Sequence, residues 1–185
     1  TCALPISLLL LMDDAQDIHR QRPKFTLQNT GIQAQGRTTI LKYNYRNTRE
    51  ILQFAFDFAR DFLPASAGST QATVAQPQHA ARSGDAPMVK AFASLEQEVD
   101  FTLRCLQIWR DKGIAWRDMA VLYPGGEAGT RMAKALKQAG LPFFWLATSS
   151  NRKHYKPDAD SISLMPIPAS QGLEFDRVII IEIGR

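Results

Sequence analysis

Two short runs made mainly of apolar residues constrain this chain more than any other feature of its sequence. The first covers residues 4–12 and is followed at once by Asp13 and Asp14. The second covers residues 177–183 and is apolar apart from Arg177 and Glu182. About nine apolar residues are too few to cross a bilayer, which takes about 20, and no basic residue precedes the first run as it would in a secretory signal. Both runs therefore predict parallel β-strands that are buried on both faces.

Between the two runs, strand patterns alternate with helix patterns. Further short strands are predicted at residues 38–42, 88–92, 119–123, 143–146 and 162–165. Three helices are predicted, and the first starts at Asn47 or Thr48. The second starts at Ser94, where Gln97 completes a capping box, and runs to about Lys112. The third runs from Glu127 to Ala139, just before Gly140. The first helix carries an apolar stripe at helical spacing, formed by Ile51, Ala55, Phe58 and Phe62. Strands alternating with helices predict an α/β fold with a mostly parallel sheet flanked by helices.

Residues 64–87 interrupt this pattern. They consist mainly of Ala, Ser, Thr, Gln, Gly and Pro, with only Arg82 and Asp85 charged, and predict a flexible insertion or linker. We expect one α/β domain in which residues 1–63 and 88–185 flank this linker. Because the last predicted strand stops two residues before the end of the chain, we expect a piece of a longer polypeptide.

The composition is that of an ordinary globular domain. Hydrophobic residues make up 45% and charged residues 22% of the chain, which excludes wholesale disorder and a disulfide scaffold. The net charge of +4 permits a polyanionic partner without requiring one. Cys2 and Cys105 have no metal-ligand spacing around them, so we expect two reduced thiols in a cytoplasmic protein.

Ligands of open parallel sheets bind beyond the carboxyl ends of the strands, and three predicted strand ends carry polar residues. They are residues 13–19, 43–46 and 169–175. The acids of the first are either a Mg²⁺ site or a solvated strand end. In the second, either the Tyr45 ring stacks on a base and the Arg46 guanidinium binds phosphate, or Tyr45 is an ordinary core residue and Arg46 an ordinary surface residue. In the third, Gly172 allows a backbone to approach a phosphate or sugar.

Other candidates are weaker. The basic run at residues 152–156 contains Tyr155 and is either a solvated loop or a binder of nucleic-acid single strands. The three tryptophans are expected in the core or at an interface, rather than as platforms for bases. The three histidines are too scattered to form a ligand set, and no metal site is predicted.

Taken in order, three segments resemble motifs of the superfamily 1 DNA helicases of the UvrD/Rep type. Residues 13–19 (DDAQDIH) resemble motif III, and residues 41–51 (LKYNYRNTREI) resemble motif IV. Residues 162–178, which contain GLEFDRV, resemble motif V. Asp14–Asp17 also matches motif II. Only 28 residues separate Gln16 from Asn44, however, which leaves no room for motif III between them.

The resemblance implies a RecA-like fold of the P-loop NTPase type, incomplete at its carboxyl end. This fold would be the second RecA-like domain of an ATP-dependent DNA helicase that moves along single-stranded DNA. ATP and Mg²⁺ are the cofactors implied for the full-length protein. The implied partners are single-stranded DNA and the first RecA-like domain of the same polypeptide. We expect no membrane partner and a cytoplasmic location.

The resemblance also implies roles for individual residues. Gln16 would sense the γ-phosphate and help to position the attacking water, and Arg46 would act as an arginine finger. Tyr45 would stack on adenine, and Gly172 and Glu174 would contact the nucleotide, Glu174 through the ribose hydroxyls. The residues implied to lie along the path of single-stranded DNA are His19, Ser170 and Gln171.

Two departures from the family pattern limit these expectations. Pro166, Pro168 and Gln171 stand where motif V has Thr, His and Lys, so backbone donors and a positive charge facing phosphate are lost. The chain has no Gly-Lys dipeptide and hence no G-x-x-x-x-G-K-[ST] phosphate loop. Motif II is missing as well, and motif VI would lie beyond Arg185. We therefore expect this chain alone neither to bind nucleotide tightly nor to hydrolyse ATP at a useful rate.

Two alternatives stay open. One is a degenerate RecA-like domain that binds partners without motor activity, which the prolines and Gln171 favour and which Gln16, Arg46 and Glu174 oppose. The other is an unrelated α/β nucleotide-binding module.

Overall fold

A computed structural model describes residues 44–60, 80–148, 151 and 153–184. The chain divides into two compact units, Thr1–Val89 and Lys90–Arg185. None of the helices in the described part is long and apolar enough to span a bilayer.

The described part of the first unit contains β1 (Asn44–Thr48), α1 (Arg49–Arg60) and β2 (Ala80–Arg82). β1 and β2 pair in parallel, with an irregular register between Asn44 and Thr48. Thr48 caps α1, as predicted, because its Oγ1 accepts a hydrogen bond from the Ile51 N–H at 3.3 Å. β2 lies inside the predicted linker, where the composition gave no sign of a strand.

The apolar stripe of α1 does not face a core. Ile51 is 43% exposed and Phe58 is 62% exposed, and Ala55 is exposed as well, whereas the neighbouring Leu52 is buried. The spacing predicted the helix correctly but not the side of it that is covered. Periodicity reports which residues share a face, and burial depends on which other element packs there.

The second unit contains a four-stranded parallel sheet with the strand order β4-β5-β3-β6. Its elements in chain order are α2 (Leu95–Asp111), β3 (Met119–Tyr123), α3 (Ala128–Gln138), β4 (Phe143–Trp145), β5 (Ile162–Pro166) and β6 (Arg177–Ile180). Short 3₁₀ turns precede β3 (Trp116–Asp118) and follow β5 (Ile167–Ser170). The predicted α/β, RecA-like fold with a parallel sheet and flanking helices is confirmed.

The sequence signals for both helices of this unit are also confirmed. Ser94 caps α2, since its Oγ accepts the Gln97 N–H at 3.3 Å, and the Gln97 side chain accepts the Ala93 N–H at 3.2 Å. α3 ends before Gly140, whose φ of +67° is a conformation that glycine adopts without strain.

The two faces of the sheet are covered differently. Alternate residues of β3 point to opposite faces: Val121 and Tyr123 pack with α2 and α3 on one side, and Ala120 and Leu122 point to the other. We call the first the helix face. The second, the loop face, is covered by residues from the segments that follow β4 and β5, namely Leu146, Tyr155, Ile167, Ala169, Leu173 and Phe175.

Two strand predictions need correction. Residues 88–92 are not paired as a strand; instead, the ring of Phe92 lies 5.2 Å from that of Phe101 on α2, and the Lys90 ammonium lies 4.2 Å from the Phe101 ring. Packing against the helix thus replaces strand pairing. β6 is not buried on both faces, because Val178 and Ile180 are 44% and 42% exposed on the loop face.

Candidate functional site

Two of the candidate site residues, Gln16 and His19, lie outside the described residues, as does the whole motif III-like segment. The described candidates are divided between the two units. Arg46 lies in the first unit, whereas Ser170, Gln171, Gly172 and Glu174 lie in the second.

Arg46 is exposed in the middle of β1, which leads directly into α1. The sequence predicted Tyr45 and Arg46 beyond the end of a strand, and the structure instead includes both in the strand. Four residues later, the carboxylate of Glu50 accepts the Gly84 N–H at 2.8 Å. This backbone hydrogen bond lowers the pKa of Glu50 from its ordinary value, so the start of α1 holds a carboxylate that favours its ionised form.

The motif V-like segment begins with β5, and the residues that follow this strand fold into a 3₁₀ turn, Ile167–Ser170. Prolines suit the start of such a turn, since their missing N–H groups have no partner there. The Ser170 hydroxyl donates to the Ile167 carbonyl oxygen at 2.8 Å. The Leu173 N–H in turn donates to the Ser170 carbonyl oxygen at 3.0 Å. The hydroxyl proton of Ser170 is therefore used within the segment.

Gly172 has a φ of +80°, and a Cβ added there would meet no atom within 4 Å. Its backbone conformation, rather than crowding, is what favours glycine at this position. After it, Leu173 and Phe175 pack into the loop face, whereas Glu174 between them is exposed, as is Gln171. The alternation anchors the segment through its apolar residues and presents the Glu174 carboxylate to solvent.

The sequence did not predict a groove of about 310 Å³ at the amino ends of α2 and α3. Arg131 lies in it and forms ion pairs with Glu96 at 2.9 Å and with Glu127 at 3.1 Å. The neighbouring Glu98 accepts the Glu182 N–H at 3.0 Å. Arg131 thus pairs with two of the carboxylates, and in the described part of the chain no group of three or more His, Cys, Asp or Glu residues could hold a metal ion.

The aromatic candidates pack against the core, as the sequence predicts for the tryptophans. Trp116 is buried, and Trp109 and Trp145 pack against the same helix-face cluster. Tyr155 packs on Phe144 across the loop face, with ring centroids 5.7 Å apart. Each of these rings is therefore at least partly covered by the core that it packs against.

Cys105 is a free, half-buried cysteine. Burial raises the pKa of its thiol, which suppresses the thiolate that nucleophilic chemistry requires. Cys2 lies outside the described residues.

A family model for the UvrD-like helicase C-terminal domain matches residues 39–150. This range is more than half of the 185 residues and contains every described element from β1 to β4. The motif V-like segment, residues 162–178, lies after the matched range, so its resemblance to helicases is an observation additional to the match. A search of curated proteins found no match. The chain therefore belongs to the family of UvrD-like helicase C-terminal domains.

Proposed function

We propose that this chain is part of the second RecA-like domain of an ATP-dependent DNA helicase and that Arg46 is its arginine finger. The observation that carries the proposal is the family match, which includes the NYRNT sequence of residues 44–48. The exposed position of Arg46 on β1 supports it, because a finger has to reach a nucleotide held mainly by another domain. A planar guanidinium can bind two oxygens of the transferring phosphoryl group at once.

The remaining nucleotide contacts are proposed from the same motifs. Tyr45 would stack on adenine, Gln16 would position the attacking water, and Glu174 would accept hydrogen bonds from the ribose hydroxyls. The exposure of Glu174 and the conformation of Gly172 are compatible with a close approach by a sugar. ATP and Mg²⁺ would be bound chiefly by the first RecA-like domain, since these 185 residues contain no phosphate loop.

The test is ATP hydrolysis by the full-length protein with and without single-stranded DNA, comparing wild type, Arg46→Ala and Arg49→Ala. Arg49 is the matched control: it is exposed, three residues further on, and its loss removes the same charge. We expect DNA-stimulated turnover to fall about 10³-fold or more in Arg46→Ala and to change little in Arg49→Ala. Equal effects of the two substitutions would remove the finger from the proposal.

The second candidate function is a RecA-like binding domain without motor activity. It is favoured by Pro166, Pro168 and Gln171, and by the Ser170 hydroxyl, which donates within its own turn. A full-length protein that has an intact phosphate loop and still does not hydrolyse ATP in the presence of DNA would support this candidate over the first.

A further inference from the structure

The loop between β4 and β5 carries exposed basic residues around an inward-facing tyrosine. Lys153 and Lys156 are exposed. Between them, the Tyr155 hydroxyl lies 3.0 Å from the hydroxyl of Ser163, which is 1% exposed in β5. With its ring on Phe144, Tyr155 anchors this loop to the sheet. An anchored loop has less conformational entropy to lose when its flanking side chains bind a ligand.

The same face of the sheet holds the motif V-like segment. Tyr155 belongs to the apolar cluster of the loop face that also includes Ile167, Ala169 and Leu173. The two lysines and the exposed Gln171 are therefore carried by neighbouring segments that cover one face, and α2 and α3 cover the opposite one.

The charges on this face are unevenly distributed between the two segments. Between Pro166 and Phe175 the only charged side chain is Glu174, because Gln171 occupies the lysine position of motif V. In the described part of the chain, neither Lys153 nor Lys156 forms an ion pair. Of the two acids that follow them in the same loop, Asp160 pairs with Arg110 at 3.4 Å, and Asp158 is exposed and pairs with neither lysine. Two ammonium groups thus remain available to an anion.

We propose that Lys153 and Lys156 bind phosphates of single-stranded DNA, supplying the positive charge that Gln171 does not provide at the lysine position of motif V. This inference rests on the proposed function, since it assigns part of the DNA path of the same domain. Lysine ammonium groups act on phosphates as point charges and need no fixed geometry. Each phosphate that they neutralise releases counterions, which makes binding depend on the salt concentration.

The experiment measures the anisotropy of a fluorescent oligo-dT bound by the full-length protein at several NaCl concentrations. The test variant is Lys153→Gln/Lys156→Gln. The control, Lys134→Gln/Lys137→Gln, makes the same charge change at two exposed lysines of α3, the helix that packs on the opposite side of the sheet. We expect the magnitude of the slope of log K against log [NaCl] to fall by about 1.4 in the test variant, from about 0.7 for each phosphate contact, with an unchanged slope in the control.

Three outcomes would overturn the inference. An unchanged slope in the test variant, with a wild type that binds, would overturn it and leave the proposed function intact. Equal losses in both variants would mean that only the overall charge matters. A wild type that does not bind the oligonucleotide would overturn this inference together with the DNA path in the proposed function. Matching circular dichroism spectra would exclude misfolding as the cause of any loss.

Discussion

The indole N–H of Trp145 donates a hydrogen bond to the hydroxyl oxygen of Tyr123 over 2.9 Å. Trp145 ends β4, Tyr123 ends β3, and β5 lies between these two strands. The bond therefore spans the middle strand on the helix face. It joins the carboxyl ends of the two flanking strands, at the end of the sheet where β5 leads into the 3₁₀ turn Ile167–Ser170.

Tyr123→Phe should destabilise the second unit by about 1–3 kcal/mol, because it leaves the half-buried Trp145 N–H without its acceptor. Urea denaturation measures the loss. In a double-mutant cycle with Trp145→Phe, the two costs should add up to more than the cost of the double variant. Strictly additive costs would show that the two side chains do not stabilise each other.

Gly129→Ala should destabilise the protein, although alanine normally stabilises a helix interior by about 0.5–1 kcal/mol relative to glycine. A Cβ on Gly129 would come closer than 3.0 Å to three atoms of the Tyr123 ring, and overpacking of this kind costs about 1–3 kcal/mol. Thermal denaturation shows whether the substitution lowers or raises the stability of the protein. Thr130→Ala, at the exposed next position of α3, is the control and should have little effect.

Two adjacent isoleucines, the last residue of β6 and the residue after it, should differ in how much stability is lost when each is replaced by alanine. Ile181→Ala should cost about 2–5 kcal/mol, since the side chain of Ile181 is fully buried. Ile180→Ala should cost less than about 1 kcal/mol, because Ile180 is 42% exposed. Equal costs in chemical denaturation would mean that the loop face over β6 is covered in solution.

The contact between Glu50 and Gly84 should depend on pH. The hydrogen bond from the Gly84 N–H lowers the folded-state pKa of Glu50 below its ordinary value of 4.5. Its stabilising effect is therefore present above the unfolded-state value and is lost as the pH falls through the folded-state pKa. The Gly84 amide shift in NMR spectra should titrate with this pKa, and Glu50→Gln should abolish the titration. A Gly84 shift that titrates unchanged in Glu50→Gln would contradict the assignment.

The parts of the fold that the sequence predicted best have local causes. β3 is a continuous apolar run and β5 is interrupted only by Ser163, and the positions of both strands agree with prediction to within one residue. The start of α2 follows from a capping box formed by residues three positions apart. These signals need no knowledge of tertiary partners, which is why a single sequence contains them.

The errors have tertiary causes. The apolar pattern of residues 88–92 suits a strand, but the Phe92 ring packs on Phe101 of α2, and no pattern within the segment indicates that choice. The stripe of α1 and the exposed residues of β6 show the same limitation, since apolarity does not reveal which element covers a face.

The candidate site was predictable only in part. The need for glycine at position 172 follows from its positive φ and agrees with the motif. The internal hydrogen bond of Ser170 depends on the 3₁₀ turn and is not visible in the sequence. The ion pair between Arg131 and Glu96 likewise escaped prediction, because Glu96 lies on a different helix.

The strand order has a consequence for how this protein is made. β3, whose five residues are all buried, pairs with β5 and β6, both of which are synthesised after it. At about 5–20 residues per second, both edges of β3 stay unpaired for several seconds after it leaves the ribosome. During that interval α2 and α3 are complete and can cover only one of its faces. Open strand edges invite pairing with other chains, so the period before β6 emerges is when a nascent chain of this protein is most exposed to aggregation.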